Sequence, residues 1–202
     1  MIDDTPRVYR DSTFLYSKFA LEISQLLLVI RQERMPFILY ETYRTPQRQR
    51  KLYKSKFSTN HDIFMNPHVN GLAVDFLFNK AEVQAGGDSR TIQRIVEKTL
   101  NEMSDTDEGN EIYNIGTNLI PRPGVKVRTE RQNPAVLDSW LKLGKVIDRQ
   151  FPNLVWGGNQ NIKEGQLIGT DPPHVEFREA KNLIRSKVAI RQIRNRGAPG
   201  LR

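Results

Sequence analysis

One stretch constrains this chain more than any other: Asn66 to Phe76, read as NPHVNGLAVDF. Leu72, Val74 and Phe76 alternate with Ala73 and Asp75, the period-two pattern of a strand starting near Gly71. The pattern puts Asp75 on the face opposite three apolar side chains. An ionised carboxylate in an apolar strand needs a partner, because burying it unpaired is costly. His68 precedes Asp75 in the same stretch, and a second histidine, His174, opens another strand-like run in TDPPHVEF at 170–177. Pro172 and Pro173 fix the backbone before it. Two histidines and one aspartate make a three-ligand catalytic zinc set with the fourth position left for water. His68, Asp75 and His174 are therefore candidate ligands, although a His and an Asp this close in sequence more often mean nothing of the kind. The chain has three histidines; His61, in the polar run STNHDIF, reads as an exposed loop residue.

Two further motifs flank this pair of runs. Phe37 to Tyr43 is strand-like, and Thr45-Pro46 then restarts a helix, with threonine as the cap and proline at the first helical position. Arg44 sits at that strand-to-helix junction. The helix carries Arg48, Arg50, Lys51, Lys54 and Lys56, which read mostly as a solvated face. Downstream, LVWGGN at 154–159 reads as a short strand ending in a glycine turn, with Trp156 as a core residue. Pro67 restricts Asn66 to extended geometry, and Gly71 suits a close backbone approach or a positive φ.

These parts, in this order, resemble the zinc peptidases that cut bacterial cell-wall peptides: the D-alanyl-D-alanine carboxypeptidases and the L-alanyl-D-glutamate endopeptidases, the latter often phage endolysins. The family pattern is Y-R-[ST], then S-x-H-x-x-G-x-A-x-D, W-G-G and D/E-x-x-H. The matching residues are Tyr43, Arg44 and Thr45; His68, Gly71, Ala73 and Asp75; Trp156, Gly157 and Gly158; and Asp171 and His174. The resemblance covers roughly residues 37–78 and 136–178. It departs from the pattern at Asn66, where the family carries serine, and in the 99-residue separation of Asp75 from His174.

The resemblance implies one zinc ion per chain on His68, Asp75 and His174, with Asp171 as the carboxylate that handles the proton of the attacking water. Glu176 competes for that role, or orients a ligand, because in a strand it shares the face of His174. Arg44 is implied as the cation that stabilises the oxyanion, and Gln49 as a weak supporting residue. The implied substrate is the peptidoglycan stem peptide, cut between L-Ala and D-Glu. The alternatives are a D-Ala-D-Ala carboxypeptidase and a non-catalytic, wall-binding virion component of the same fold. The Asp of DPPH and the context GLAVDF and WGG favour the endopeptidase.

The rest of the chain bounds these readings. At 202 residues, 38% hydrophobic and 27% charged, it can bury one core. The richest apolar run, LLLVI at 26–30, is far short of a membrane span. With no cysteine there are no disulfides and no thiolate ligands. G-x-S-x-G, P-loop and G-x-G-x-x-G motifs are all missing from the sequence. The N-terminus begins acidic and lacks an apolar stretch, so the expectation is synthesis in a host cytoplasm without a Sec signal and action at the wall or periplasm, or carriage in a virion. Net charge is +8, and residues 178–202 hold eight basic residues against one acidic. That bias reads as a solvated basic tail with a possible attraction to polyanions.

The expected fold is α+β: a small antiparallel sheet with flanking helices carrying the zinc site. Residues 1–178 form the domain, with a long insertion at about 79–135, and 179–202 form the basic tail. A helix over 12–34 is expected from Phe19, Ile23, Leu26, Leu27 and Ile30, capped by Asp11 or Ser12. Further helices are expected at Ser89–Met103 and Pro134–Gln150, and 104–134 reads as a surface loop bordering the cleft.

Overall fold

The apolar stripe expected over 12–34 forms helix α1, Ser17–Gln32, and buries Phe19, Ile23, Leu26 and Ile30 on one face. The helix begins at Ser17 rather than at the expected residue 12. Residues before it make a turn, with Leu15 N–H donating to Ser12 C=O at 3.1 Å. No local side chain caps it. Instead the N–H of Ser17 donates to Oε1 of Gln192, at 2.9 Å and 175 positions away. These features come from a computed structural model, which describes residues 8–10, 12–54, 58, 61–78, 134–160, 162, 168, 169 and 171–201. The insertion expected at about 79–135 lies outside the described residues up to the first turn of the next helix, and so does the helix expected at Ser89–Met103.

Among the described residues four strands form one sheet: β1, Phe37–Glu41; β2, Ala73–Phe78; β3, Leu154–Trp156; and β4, His174–Phe177. Their order is β1-β2-β4-β3, and each neighbouring pair is antiparallel. Helix α2, Pro46–Lys54, follows β1. Its expected threonine cap is present: Arg48 N–H donates to Thr45 Oγ1 at 3.1 Å. Helix α3, Pro134–Gln150, has the expected bounds. The architecture is the α+β arrangement of a small antiparallel sheet with flanking helices.

The main core joins the α1 stripe, Trp140, Leu143 and Ile147 of α3, and Val74, Phe76, Leu154, Trp156, Val175 and Phe177 of the sheet. Each fully buried side chain of this size is worth about 1.5–3 kcal/mol. Among the described residues no helix is long and apolar enough to cross a membrane.

The basic C-terminal segment departs from expectation. It forms α4, Ala180–Arg185, and α5, Val188–Asn195. Ala180, Ile184 and Ala189 enter the main core. Ile190, Ile193, Ala198 and Leu201 form a second cluster with Tyr43 and Val69. Tyr43 Oη donates to Pro199 C=O at 2.8 Å, and Arg196 Nη1 to Leu15 C=O at 3.0 Å. The segment is therefore part of the domain rather than a solvated tail. As one continuous helix its apolar residues point several ways. Lys187, with φ 59°, breaks the run into two helices, and each of them presents its own apolar face.

Candidate metal centre

Each of the three proposed ligands is delivered by a different local device. His68 opens a 3-10 turn, His68–Asn70, reached through a loop pinned by two asparagines. Asn66 Oδ1 accepts the His68 N–H at 2.9 Å. Asn70 Nδ2 donates to Phe64 C=O at 2.8 Å and to Asn66 C=O at 2.9 Å. Asn66 thus holds the backbone of His68 at the position where the resemblance led one to expect serine. Its φ of −75° and ψ of 129° are the extended geometry expected before Pro67. Gly71 follows with φ 64° and lies against Phe14 C=O so closely that a Cβ would collide with it. The chain then enters β2.

Asp75 and His174 are register partners across β2 and β4. Alternation puts Val74, Phe76, Val175 and Phe177 in the core, leaving Asp75 and His174 on the other face, partly open to solvent. The DPPH turn before β4 is held by the glycine motif. Trp156 Nε1 donates to Pro172 C=O at 2.7 Å, and Phe76 N–H to Pro173 C=O at 2.9 Å. Gly157 packs against Asp171 C=O and against Cβ of His174, where any side chain would clash. The W-G-G and D-P-P-H motifs are two halves of one packed turn.

The three donor atoms converge. His68 Nε2 is 3.3 Å from His174 Nδ1 and 3.3 Å from Asp75 Oδ1, and His174 Nδ1 is 3.2 Å from Asp75 Oδ1. Ligand bonds of about 2.0–2.1 Å in a tetrahedral set require donor separations of about 3.3 Å. The triangle has that size on all three edges, so the residues fit a zinc ion. Among the described residues this is the group of His, Asp and Glu whose atoms converge in this way.

Electrostatics agree with a site built for a cation. Burial lowers the pKa of His68, against the opposing pull of Asp75. Burial works against ionisation of Asp75 as well, but the two imidazoles hold its pKa well below the usual range. His174 goes the other way: burial disfavours its charge, yet hydrogen bonds to Asp75 and Glu176 and the field of Asp171 push it up to about 10. Asp75, Glu176 and Asp171 together favour positive charge at this position, whether a proton or a metal ion. A divalent ion would displace the proton.

Glu176 sits on the face of His174, with Oε2 3.4 Å from Nε2. It therefore orients the imidazole through the nitrogen that faces away from the triangle, the arrangement typical of a carboxylate behind a ligating histidine. Asp171 stands at the solvent-exposed rim. The protein mass around its carboxyl pushes its pKa up, while the fields of His174, His68 and Arg44 oppose that rise. Asp171 makes no side-chain hydrogen bond among the described residues. His61 is exposed, as expected.

Arg44 is buried at the edge of the triangle, where its Nη2 donates to Asp75 Oδ2 at 3.2 Å. Its Nη1 donates to Gln49 Oε1 at 3.0 Å, and Gln49 in turn donates to Ser58 Oγ at 2.8 Å. Two residues of this network were not singled out from sequence. Glu41, 1% exposed, accepts from Arg44 through Oε2 and from Arg48 Nε through Oε1 at 2.6 Å. Arg48, expected on a solvated face, is buried in that pair. The available signal was its place at the third position of α2, in the first turn of the helix that follows the strand carrying Glu41.

No protein-family model matches the chain, and a search of curated proteins finds no match.

Proposed function

We propose that this chain is a zinc-dependent peptidase acting on peptidoglycan stem peptides, with the bond between L-alanine and D-glutamate as its target. The observation that carries the reading is the donor triangle of His68, Asp75 and His174, with edges of 3.2–3.3 Å. It sits among the Y-R-T, W-G-G and D-P-P-H motifs that resemble the cell-wall peptidases. His68 Nε2, Asp75 Oδ1 and His174 Nδ1 would hold the ion. Zinc, when bound there, lowers the pKa of a bound water to roughly 7 and polarises the scissile carbonyl.

The chain's own groups supply the remaining chemistry. A carboxylate oxygen of Asp171, whose raised pKa makes it a better base, takes the proton of the attacking water and passes it to the leaving amine nitrogen. Asp171 is free to do this because no hydrogen bond among the described residues ties it down. Glu176 is committed to His174 and serves as its orienting group. Arg44 contributes positive charge beside the site, where an oxyanion develops at the scissile carbonyl. The exposed cations Lys181, Arg185, Lys187, Arg191 and Arg194 of the C-terminal segment favour attraction to anionic wall polymers.

The test is digestion of purified sacculi followed by mass spectrometry of the muropeptides. New N-terminal D-Glu on the stems is the expected result. Release of free D-alanine alone would replace the endopeptidase by the carboxypeptidase, and intact muropeptides with retained wall binding would replace both by a binding module.

A further inference from the structure

Glu41 and Asp75 are register partners across β1 and β2, although uniform pairing would not make them so. Leu39 pairs with Phe76, and the next residue, Tyr40, should therefore face Asp75. The register shifts between Leu39 and Glu41, so that Tyr40 is the extra residue and Glu41 takes the place opposite Asp75. A bulge of this kind re-aims the side chains of the bulged strand. Asp75 also pairs with His174, so Glu41, Asp75 and His174 form one row across three strands.

Two carboxylates directly opposite each other repel. Arg44 resolves the conflict by bridging them. Its Nη2 donates to Glu41 Oε2 at 2.5 Å and to Asp75 Oδ2 at 3.2 Å, and its Nε donates to Glu41 Oε2 at 3.0 Å. Gln49 takes an Nη1 hydrogen at 3.0 Å, and Arg48 holds the other oxygen of Glu41. Glu41, Arg44, Arg48 and Gln49 are all buried, so the guanidinium has little room to turn. The two oxygens of Asp75 are thereby given different work: Oδ1 faces the two imidazoles, and Oδ2 is occupied by Arg44.

On the metal-site reading above, we infer that Glu41 is a positioning residue which, through Arg44, restricts Asp75 to binding through a single oxygen. A carboxylate free to swing would engage a metal with both oxygens and take up the position that water and substrate need. Holding Oδ2 back would leave an ion on His68, Asp75 and His174 with room for a water.

The experiment uses the full chain, titrated with Zn²⁺ against a chromophoric chelator and with Co²⁺ for its visible absorption, which is intense for four-coordinate cobalt and weak for five or six ligands. Glu41→Gln is expected to weaken zinc binding roughly 10–100-fold, the usual effect of removing a group behind a ligand. It is also expected to replace the intense cobalt bands by weak ones, with Glu41→Asp partly restoring them. The double variant Glu41→Gln/Arg48→Gln removes one charge of each sign and should give the same spectrum, which covers the case in which Glu41→Gln alone does not fold. A folded Glu41→Gln or double variant with wild-type cobalt bands and zinc affinity would overturn the assignment. If wild-type protein binds neither metal, the zinc reading fails and this inference falls with it.

Discussion

Asp75 and His174 stand opposite each other in the β2–β4 ladder, and Oδ1 and Nδ1 lie 3.2 Å apart across it. They stand 99 positions apart in the chain, yet their meeting is a matter of strand register. A slip of one residue in either strand would send one of the two into the core with Val74 or Val175. The site is therefore as rigid as the sheet. Only His68 comes from outside the sheet, on a turn clamped by Asn66 and Asn70.

Metal content should follow the triangle. His68→Ala combined with His174→Ala is expected to abolish binding of the single zinc, as measured by elemental analysis after gel filtration. His61→Ala, on the exposed loop, should leave the stoichiometry at one. Equal zinc in the double variant and wild type would remove the assignment.

The two carboxylates near His174 should separate by readout. Asp171→Asn is expected to keep its zinc and to lose about 10²–10⁴-fold in rate, since an amide cannot accept the proton. Glu176→Gln should instead weaken zinc binding, because the change removes the partner of His174 Nε2. Steady-state hydrolysis of stem peptides, paired with zinc titration, distinguishes the two. If Glu176→Gln is inactive while holding zinc normally, and Asp171→Asn is near wild type, the roles are reversed.

Acid should weaken the fold through Glu41. Burial alone would raise its pKa, but Arg44 and Arg48 bring it down from 4.5 to about 2. A carboxylate with a depressed folded-state pKa adds stability that is complete above the unfolded value of 4.5 and is lost as pH falls towards 2. The stability gap between wild type and Glu41→Gln is therefore expected to be constant at neutral pH and to narrow below pH 4.5. Urea unfolding at a series of pH values measures it, and a gap independent of pH down to about pH 3 would contradict the pairing.

The C-terminal helices should be indispensable. Ile193 is fully buried, and Ile193→Ala is expected to cost about 2–5 kcal/mol. Truncation after Arg178 removes Ile184, Ala189, Ile190, Ile193 and Leu201 from two clusters, together with the Gln192 cap on α1, and should leave protein without a cooperative melting transition. Circular dichroism on heating gives the answer, and a truncated chain melting as wild type would mean that the helices add nothing to the core.

Much of the site could be read from single positions. Period-two alternation marked the face of Asp75, the proline before His174 and the glycine after His68 marked turns, and the bounds of α3 followed from its stripe. These features depend on local backbone chemistry, and a chain carries that information residue by residue. The candidate ligands needed no more than residue type and strand context to be named.

What tertiary structure decided was everything that depends on two distant segments meeting. Glu41 gave no signal of its own, because its importance lies in a one-residue bulge that sets it opposite Asp75. Arg48 looked like one more basic residue on a basic helix, and only the fold brings its Nε within 2.6 Å of Glu41. Gln192 caps a helix 175 positions before it, where sequence offered only the nearby Asp11 or Ser12. The C-terminal charges hid two apolar faces, which only the left-handed break at Lys187 separates. Residue types fix which side chains can do chemistry here, and local backbone preferences fix the turns that present them. Register and burial decided which of them meet, since both are settled only when the whole chain excludes water together.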